Sequence, residues 1–334
     1  MTRIEEALQN NILVLDGAMG TMLQAYKFTE EDFRGDRFKD HPCPLQGNND
    51  LLSLTQPEAI KSVHRKYFEV GADIVETNTF SSTSIGMGDY EMEPWVYELN
   101  FESAKLAREV ADEFTKANPN KPRFVAGSIG PTNRTASMSP DVNDPGFRAV
   151  TFDDLVDSYS EQVQGLVDGG SDVLLVETVF DTLNAKAALF AIDALKQKNG
   201  WNIPVMVSGT ITDASGRTLS GQTVEAFVIS VSHIPLLSIG FNCALGADQL
   251  LPYLRRLSQV ADVLTSAHPN AGLPNAFGAY DQTPEEMTSM IEKYLDENLI
   301  NIIGGCCGST PEHIAQIAAV ANSHQPRKTQ QISI

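Results

Sequence analysis

The sequence predicts a closed (β/α)8 barrel, and three observations lead to this prediction. Eight short runs of β-branched and apolar residues recur along the 334 residues. Most of these runs lack the polar alternation of a half-exposed strand, as expected of strands that are buried on both faces. A helical segment follows each run, and eight such units suit a closed barrel better than an open doubly wound sheet.

The elements are predicted in strict alternation. The strands are expected at Ile12–Leu15, Asp73–Thr79, Phe124–Gly130, Val173–Val179, Pro204–Thr210, Leu236–Cys243, Asp262–His268 and Asn301–Gly305. The helices are expected at about Pro57–Phe68, Val96–Lys116, Phe152–Val167, Leu183–Lys198, Val224–Ser232, Asp248–Val260, Pro284–Asn298 and Pro311–Ser323. Thr283, Pro284 and Glu286 have the order of a capping threonine, a first-turn proline and a capping-box glutamate.

Two insertions and a tail interrupt this alternation. The polar segment Gln24–Asp50 is too long for a simple connection, and we expect it to cover one end of the barrel. The segment Pro131–Val150 follows strand three and is rich in turn formers. The tail is polar and has no closing element. We therefore divide the chain into a barrel at 1–325 and a linker at 326–334, which would lead to a downstream module.

Composition narrows the possible partners and locations. Lys and Arg number 24 against 43 Asp and Glu, which gives a formal net charge of −19. This balance argues against nucleic acid or an anionic membrane as the main partner, because like charges repel. No run of eighteen apolar residues is present, and the first residues lack the apolar stretch of a signal peptide. Four cysteines without extracellular features indicate a reducing compartment, so we expect a cytoplasmic protein.

Three cysteines carry the strongest chemical signal. Cys243 stands in Phe-Asn-Cys-Ala-Leu-Gly, and the pair Cys306 and Cys307 stands in Gly-Gly-Cys-Cys-Gly. Three thiolates are a strong zinc ligand set and leave one tetrahedral position open for chemistry. Neighbouring side chains on a regular strand face opposite ways, so the glycines around the pair would have to let the chain bend. The alternative is a set of buried free thiols. Cys43, between two prolines, is expected to be structural.

The barrel prediction brings the chemical groups together, because barrel active sites lie at the carboxyl ends of the strands. Strands six and eight flank strand seven, and strand eight closes against strand one, so the three thiols should be neighbours. The groups expected at this end are Asp16, Gly17, Glu76, Asn78, Glu177, Ser208, Thr210, Asp213, Cys243, His268, Asn270, Cys306 and Cys307.

The ligand type indicates the reaction class. Three thiolates on Zn²⁺ sum to −1, and a substrate thiolate would bring the sum to −2. Such an electron-rich centre ionises a substrate thiol at neutral pH without greatly reducing its nucleophilicity. Three neutral histidines would instead leave the ion at +2, which suits the acidification of water. The cysteines therefore favour alkylation of sulfur over hydrolysis.

Several blocks of sequence resemble one family. They are Asp16–Met22, Gly47–Leu52, Glu76–Phe80, Gly130–Ser137, Asn242–Gly246, His268–Asn275 and Gly304–Gly308. Together they closely resemble the homocysteine-binding module of cobalamin-dependent methionine synthases, from about Asn11 to Arg327. The double cysteine is shared with the wider family of zinc-dependent thiol methyltransferases, which includes the betaine–homocysteine methyltransferases.

The resemblance implies an activity and its partners. In that family, a zinc-bound homocysteine thiolate attacks the methyl group of methylcobalamin and yields methionine and cob(I)alamin. The cobalamin-binding and folate-binding modules lie downstream in the same longer enzyme. The resemblance thus implies that this chain binds Zn²⁺ and L-homocysteine and that methylcobalamin is carried on a separate module.

The resemblance also implies residue roles. Cys243, Cys306 and Cys307 would bind zinc, and the side-chain oxygen of Asn270 would fill the fourth position until homocysteine displaces it. The other implied roles concern the substrate: its ammonium group would be held by Asp16 and Glu177, and its carboxylate by the backbone N–H groups of Gly17, Ala18 and Met19.

Each of these roles has a plainer alternative. The two acids could cap a helix or brace a loop, and Asn270 could cap a turn. We expect His268 to pack near the metal and not to bind it. For the remaining polar residues, substrate contact and structural bracing are both open; these are Glu76, Asn78, Ser208, Thr210 and Asp213.

Two other functions remain open from the sequence. A stand-alone methyltransferase could take the methyl group directly from S-methylmethionine or betaine, but it would need a donor pocket, usually rich in aromatic residues, and only 7% of this chain is aromatic. A non-catalytic scaffold could instead use the zinc only as a structural ion, with four protein ligands.

Overall fold

The structure, a computed structural model, describes residues 1–212 and 215–329 and confirms the barrel. The eight strands are β1 (Leu13–Val14), β2 (Ile74–Glu76), β3 (Phe124–Ile129), β4 (Val173–Val179), β5 (Val205–Gly209), β6 (Ser238–Gly246), β7 (Leu264–Asn270) and β8 (Ile302–Ile303). All paired strands are parallel, in the order β1-β8-β7-β6-β5-β4-β3-β2. A parallel bridge between Leu15 and Ile74 joins β1 to β2 and closes the barrel.

The helices alternate with the strands as expected. The eight predicted helices are α5 (Pro57–Glu69), α7 (Val96–Ala117), α8 (Phe152–Asp168), α9 (Thr182–Asn199), α10 (Val224–Val231), α11 (Ala247–Val260), α12 (Pro284–Asp296) and α13 (Pro311–Ala321). The sequence did not predict five short helices: α1 (Arg3–Ala7), α2 (Met19–Gln24), α3 (Glu30–Arg34), α4 (Leu52–Thr55) and α6 (Ser84–Met87). Among the described helices, none has both the length and the apolarity needed to cross a bilayer.

The capping signal before α12 is confirmed. The Thr283 hydroxyl accepts from the Glu286 amide at 3.2 Å, and the Glu286 carboxylate accepts from the Thr283 amide at 3.0 Å. This reciprocal pair satisfies two amides that would otherwise have no partner at the helix start.

Buried side chains lie on both faces of the strands, which explains the continuous apolar runs. An outer layer fills the space between the strands and the helices. A second cluster fills the barrel interior and includes Leu13, Leu175 and Met206. Ile4 and Leu8, from α1 and its end, belong to this inner cluster, so the first helix plugs the barrel.

The insertion between residues 24 and 50 is more ordered than its polar sequence predicted. The Arg34 guanidinium donates to the carbonyls of His41 and Cys43, at 2.7 Å and 2.8 Å. The Glu30 carboxylate accepts from the amides of Leu45 and Gln46. Side chains of α3 thus replace secondary structure as partners of the loop backbone.

The end of the described chain is anchored at Arg327, which is buried. Its guanidinium donates to the carbonyls of Ser258 and Ala261 at 2.9 Å and 2.6 Å, and to that of Val263 at 2.9 Å. Its own carbonyl accepts from Asn301 at 2.7 Å. Arg327 therefore ties the chain after α13 to the last turn of α11 and to the segment between α11 and β7. The boundary at residue 325 stays a prediction.

Replacing this anchor should destabilise the barrel. In an Arg327→Ala variant, three carbonyls lose their donor, and we expect the free energy of unfolding to fall by about 2–4 kcal/mol. Urea denaturation followed by circular dichroism measures this change. Lys328→Ala is the matched control, because Lys328 is exposed. Equal midpoints for the two variants would show that the anchor contributes nothing.

Candidate active site

The structure brings the three predicted cysteines together. The sulfur atoms of Cys243, Cys306 and Cys307 all lie within 4.8 Å of one another. The Cys243 and Cys307 sulfurs are 3.8 Å apart. Two sulfurs bound to one tetrahedral zinc at about 2.3 Å would be separated by about 3.8 Å. The spacing of this thiol trio therefore suits a common metal ion.

Irregular backbone allows the three sulfurs to converge. Cys243 lies inside β6, which runs on to Gly246 instead of ending at Cys243 as predicted, and it stands at a bulge between Asn242 and Gly246. Cys243 and Ala244 have φ values of 61° and 56°, in the left-handed region that non-glycine residues rarely adopt. Beyond β8, Gly308 has a φ of 80°. The bend that the adjacent cysteines require is therefore present at the end of β8.

Hydrogen bonds fix the segment after β8 against the end of β7. The Cys306 amide donates to the Pro269 carbonyl at 2.8 Å, and the Ala271 amide donates to the Cys307 carbonyl at 2.9 Å. Asn270, the last residue of β7, lies between Pro269 and Ala271, which make these two hydrogen bonds, and it is 1% exposed. Its side-chain oxygen has no hydrogen-bond partner among the described residues. A buried oxygen without a donor suits a place beside a cation, so the donor set fits zinc.

Among the described residues, the group whose ligand atoms lie close enough to share a metal ion consists of the three cysteines and does not include His268. This histidine is buried, and burial lowers its pKa to about 3, so the ring is neutral. Both ring nitrogens lack a partner within the described part of the chain. His268 lines the cavity described below and packs near the cysteines.

Hydrogen bonding among the three sulfurs shifts the pKa values of Cys306 and Cys307 in opposite directions. Hydrogen bonds from Cys243 and Cys306 lower the pKa of Cys307 to about 3. The bonds that Cys306 makes with Cys243 and Cys307 raise the pKa of Cys306. One thiolate is therefore stabilised by two thiols. A metal ion that displaces the remaining protons would form the full thiolate set.

Three carboxyl groups cluster beside the thiol trio. The Asp16 carboxylate accepts from the Glu76 amide at 3.2 Å, and Glu177 accepts from the Ser128 hydroxyl. Burial raises the pKa of Glu177 to about 7. Burial, and then the charges of Glu177 and Asp16, raise the pKa of Glu76. Such a group of acids is stabilised in its charged form by a cation.

Asp16 differs in position from the other two acids. Glu76 and Glu177 line the cavity, whereas Asp16 is buried and is not part of the lining. Its carboxylate faces the backbone of β2, so it helps to hold the closure between β1 and β2.

The backbone amides after β1, which are predicted to bind the substrate carboxylate, differ in their existing hydrogen bonds. The Ala18 amide donates to the Ser309 hydroxyl at 3.3 Å. Met19 is the first residue of α2, where an amide has no acceptor within the helix. A Cβ on Gly17 would lie 2.8 Å from the Ser309 hydroxyl and 2.9 Å from the Tyr67 hydroxyl, so only glycine fits there.

A cavity of about 700 Å³ opens above the trio and reaches the segment 47–50. Its lining includes all three cysteines and the acids Asp50, Glu76 and Glu177. No lysine or arginine is among the described residues that line it. The cavity therefore suits ligands that carry positive charge or a metal-binding thiol.

Asp50 is buried at the far wall of this cavity. It accepts from the Ser81 amide at 2.7 Å and the Ser82 hydroxyl at 2.8 Å. Burial nevertheless raises its pKa to about 6. A carboxyl group whose pKa is raised on folding stabilises the fold when protonated, and this contribution is lost as pH rises through 6.

An Asp50→Asn variant should remove this pH dependence, because asparagine resembles the protonated acid. Between pH 5 and pH 8, we expect the stability of wild type relative to the variant to fall by about 1.4 kcal/mol. Urea unfolding of both proteins at the two pH values measures the difference. A constant difference would mean that Asp50 is already ionised at pH 5.

The other polar residues predicted for the site differ in whether they line the cavity. Asn78 lines the cavity and donates to the Asn49 carbonyl at 2.8 Å. The Thr210 hydroxyl donates to the Asn242 carbonyl at 3.0 Å, which is a bracing role. Ser208 is buried and does not line the cavity. Asp213 lies outside the described residues.

Sequence reasoning missed three side chains that hold the site. Asn242 contacts both a carboxylate and a sulfur, Ser128 supports Glu177, and Tyr280 lines the cavity with the cysteines. Burial, followed by the charge of Cys307, raises the pKa of Tyr280. Only Asn242 had a sequence signal, because it directly precedes Cys243.

The fold and the site together define a (β/α)8-barrel protein with a trio of thiols at the carboxyl end of its strands. Residues 13–321 match the sequence profile of the family described as homocysteine S-methyltransferase. The chain belongs to this family of methyltransferases.

Solved structures agree with the fold. The metallated form of the homocysteine methyltransferase MmuM from Escherichia coli aligns with a TM-score of 0.74 and 22% identity, over 95% of this chain and 98% of that chain. The oxidized form of the same protein aligns with a TM-score of 0.72 and 23% identity, over 93% and 96%. At these identities, the likeness shows the shared architecture.

Proposed function

We propose that this protein is a zinc-dependent homocysteine S-methyltransferase that forms methionine. The observation that carries the proposal is the convergence of three sulfurs within 4.8 Å at the floor of an acid-lined cavity. Membership of the homocysteine S-methyltransferase family supplies the substrate. The solved relative named as metallated adds support for a bound metal ion.

Cys243, Cys306 and Cys307 would hold the zinc, with Asn270 as the fourth ligand before substrate binds. Zinc in this place would keep the homocysteine thiol ionised at neutral pH. The new S–CH₃ bond would form as the bond between the methyl group and the donor breaks, and the bonding electrons would stay with the donor. No general base is needed for this displacement.

The chain's other residues would orient the amino acid. The substrate ammonium would lie near Glu177, with Asp16 acting from behind the cavity wall. The amides of Gly17, Ala18 and Met19 would face the carboxylate. Ala18 would have to exchange its contact with Ser309, whereas Met19 has no helical acceptor to give up.

The methyl donor in this proposal is methylcobalamin, carried on a cobalamin-binding module that follows this barrel in a longer enzyme together with a folate-binding module. A docked carrier would meet the loops after β3 and β7, each of which exposes an apolar side chain. Val142 is 93% exposed and Phe277 is 95% exposed. Both loops leave the carboxyl ends of their strands, which is the side of the thiol trio.

A second candidate is direct transfer from a small sulfonium or ammonium donor, such as S-methylmethionine or betaine. The charge of the cavity favours this candidate, because its described lining has acids and no basic side chain.

One experiment tests the proposal and separates the donors. Zinc-loaded protein is incubated with L-homocysteine and, in turn, with methylcobalamin, S-methylmethionine or betaine, and methionine is quantified by mass spectrometry. We expect methionine from methylcobalamin. Formation from either small donor alone would establish the second candidate. No methionine from any donor, together with zinc that is unaffected by homocysteine, would support a structural zinc site.

A further inference from the structure

Asn242 is a buried polar residue to which the proposed mechanism gives no role. Its side chain is 1% exposed, although it directly precedes a metal-binding cysteine. The side-chain oxygen accepts from the Thr178 amide at 3.0 Å. The side-chain nitrogen lies 2.8 Å from the Thr178 hydroxyl, 3.3 Å from a Glu177 carboxylate oxygen and 3.9 Å from the Cys306 sulfur. The side-chain amide of Asn242 therefore contacts both Glu177, the proposed partner of the substrate ammonium, and a sulfur of the thiol trio.

The backbone around this amide is held in an uncommon conformation. Thr178 has a φ of 54°, and Cys243 has a φ of 61°. The register of β4 shifts between Val176 and Val179, and that of β6 shifts beyond Asn242. A left-handed conformation costs about 1–2 kcal/mol for a residue with a Cβ, so other contacts must maintain it. The Asn242 amide joins the two bulges across the end of β5.

The two N–H donors of the Asn242 side chain are directed to different acceptors. An amide nitrogen has two N–H groups. The shorter contact, to the Thr178 hydroxyl, takes one of them, and the other is directed between Glu177 and Cys306. An ionised sulfur accepts hydrogen bonds more strongly than a thiol, and such a bond withdraws charge from the thiolate.

We propose that Asn242 is a positioning residue that couples Glu177, the carboxylate proposed to bind the substrate ammonium, to the metal centre. It would orient Glu177 for the substrate ammonium and would donate to the Cys306 thiolate, which lowers the charge that this sulfur gives to the metal. The proposal rests on the proposed function, because it assumes a metal ion on the trio and homocysteine in the cavity.

Two variants separate this role from a purely structural one. Asn242→Asp keeps the oxygen that accepts from the Thr178 amide but has no N–H group, whereas Asn242→Ala lacks both. Thr210→Val is the matched control, because it removes a bond to the Asn242 backbone and leaves the side chain intact. Each protein is loaded with Co²⁺, and the thiolate-to-cobalt charge-transfer band is recorded without substrate.

We expect this band to move to longer wavelength in both Asn242 variants and to stay in place in Thr210→Val, because removal of an N–H donor destabilises the sulfur lone pairs. We also expect the dissociation constant of zinc-loaded Asn242→Ala for L-homocysteine to rise by about tenfold to a hundredfold, as for other residues that support metal ligands. Asn242→Asp, which keeps the acceptor for the Thr178 amide but lacks the N–H donor, should not recover the wild-type band position.

The opposite pattern would overturn the proposal. A wild-type band in either variant would mean that Asn242 does not act on the sulfur, and recovery of both band and stability in Asn242→Asp would show a structural role. Failure of the wild-type protein to bind Co²⁺ through sulfur, or to bind homocysteine, would instead disprove the proposed function itself.

Discussion

Replacing either adjacent cysteine by serine should abolish stable zinc binding and leave the barrel folded. Residues that only support metal ligands contribute about tenfold to a hundredfold in affinity, so the loss of a ligand should exceed a hundredfold. We expect Cys306→Ser and Cys307→Ser to retain less than about 1% of wild-type methionine formation. Zinc content after dialysis, measured by mass spectrometry, checks the binding directly.

The expected folding of these variants follows from where the cysteines lie. Both cysteines are half-buried in the turn between β8 and α13, beyond the strand pairing that closes the barrel. Circular dichroism of metal-free protein should therefore show nearly unchanged melting. Cys43→Ser is the control, because Cys43 is outside the thiol trio and the cavity. Full zinc occupancy in either variant would refute the ligand assignment.

The sequence was sufficient to predict the barrel and the proximity of the three cysteines, because both follow from the repeated strand–helix units. Each apolar run is buried on two faces, and parallel strands in a closed barrel end at one side. Cys243 and the pair after β8 could thus be placed together without a known structure. The short helices were harder: α1 has only five residues, and its role in plugging the barrel depends on contacts far away in sequence.

The details of the site depended on conformations that have no local signal. Thr178 is β-branched, and nothing in its sequence neighbourhood predicts a φ of 54°. The position of Asp16 behind the cavity wall depends on its bond to the Glu76 amide, which forms only when β1 meets β2. Bulges near active sites redirect side chains in this way, and the pattern of apolar residues does not encode them.

Replacing Glu177 by glutamine should weaken homocysteine binding and leave zinc binding intact. Glutamine can still accept from Ser128, but it lacks the charge that would attract the ammonium group. A hydrogen bond to a charged group contributes about 1.5–3 kcal/mol, so the dissociation constant should rise by about tenfold to a hundredfold. Calorimetric titration of zinc-loaded protein with L-homocysteine measures this change. Asp16→Asn should have a smaller effect, because Asp16 does not line the cavity.

A substrate analogue makes this expectation specific. 4-Mercaptobutanoate has the thiol and the carboxylate of homocysteine but no ammonium group. Wild-type protein and the Glu177→Gln variant should therefore bind it equally, since the interaction that the variant loses is absent. Glu285→Gln, an exposed change on α12, is the control for a general loss of negative charge. If the variant weakened the analogue as much as homocysteine, Glu177 would be shaping the cavity and not recognising the ammonium.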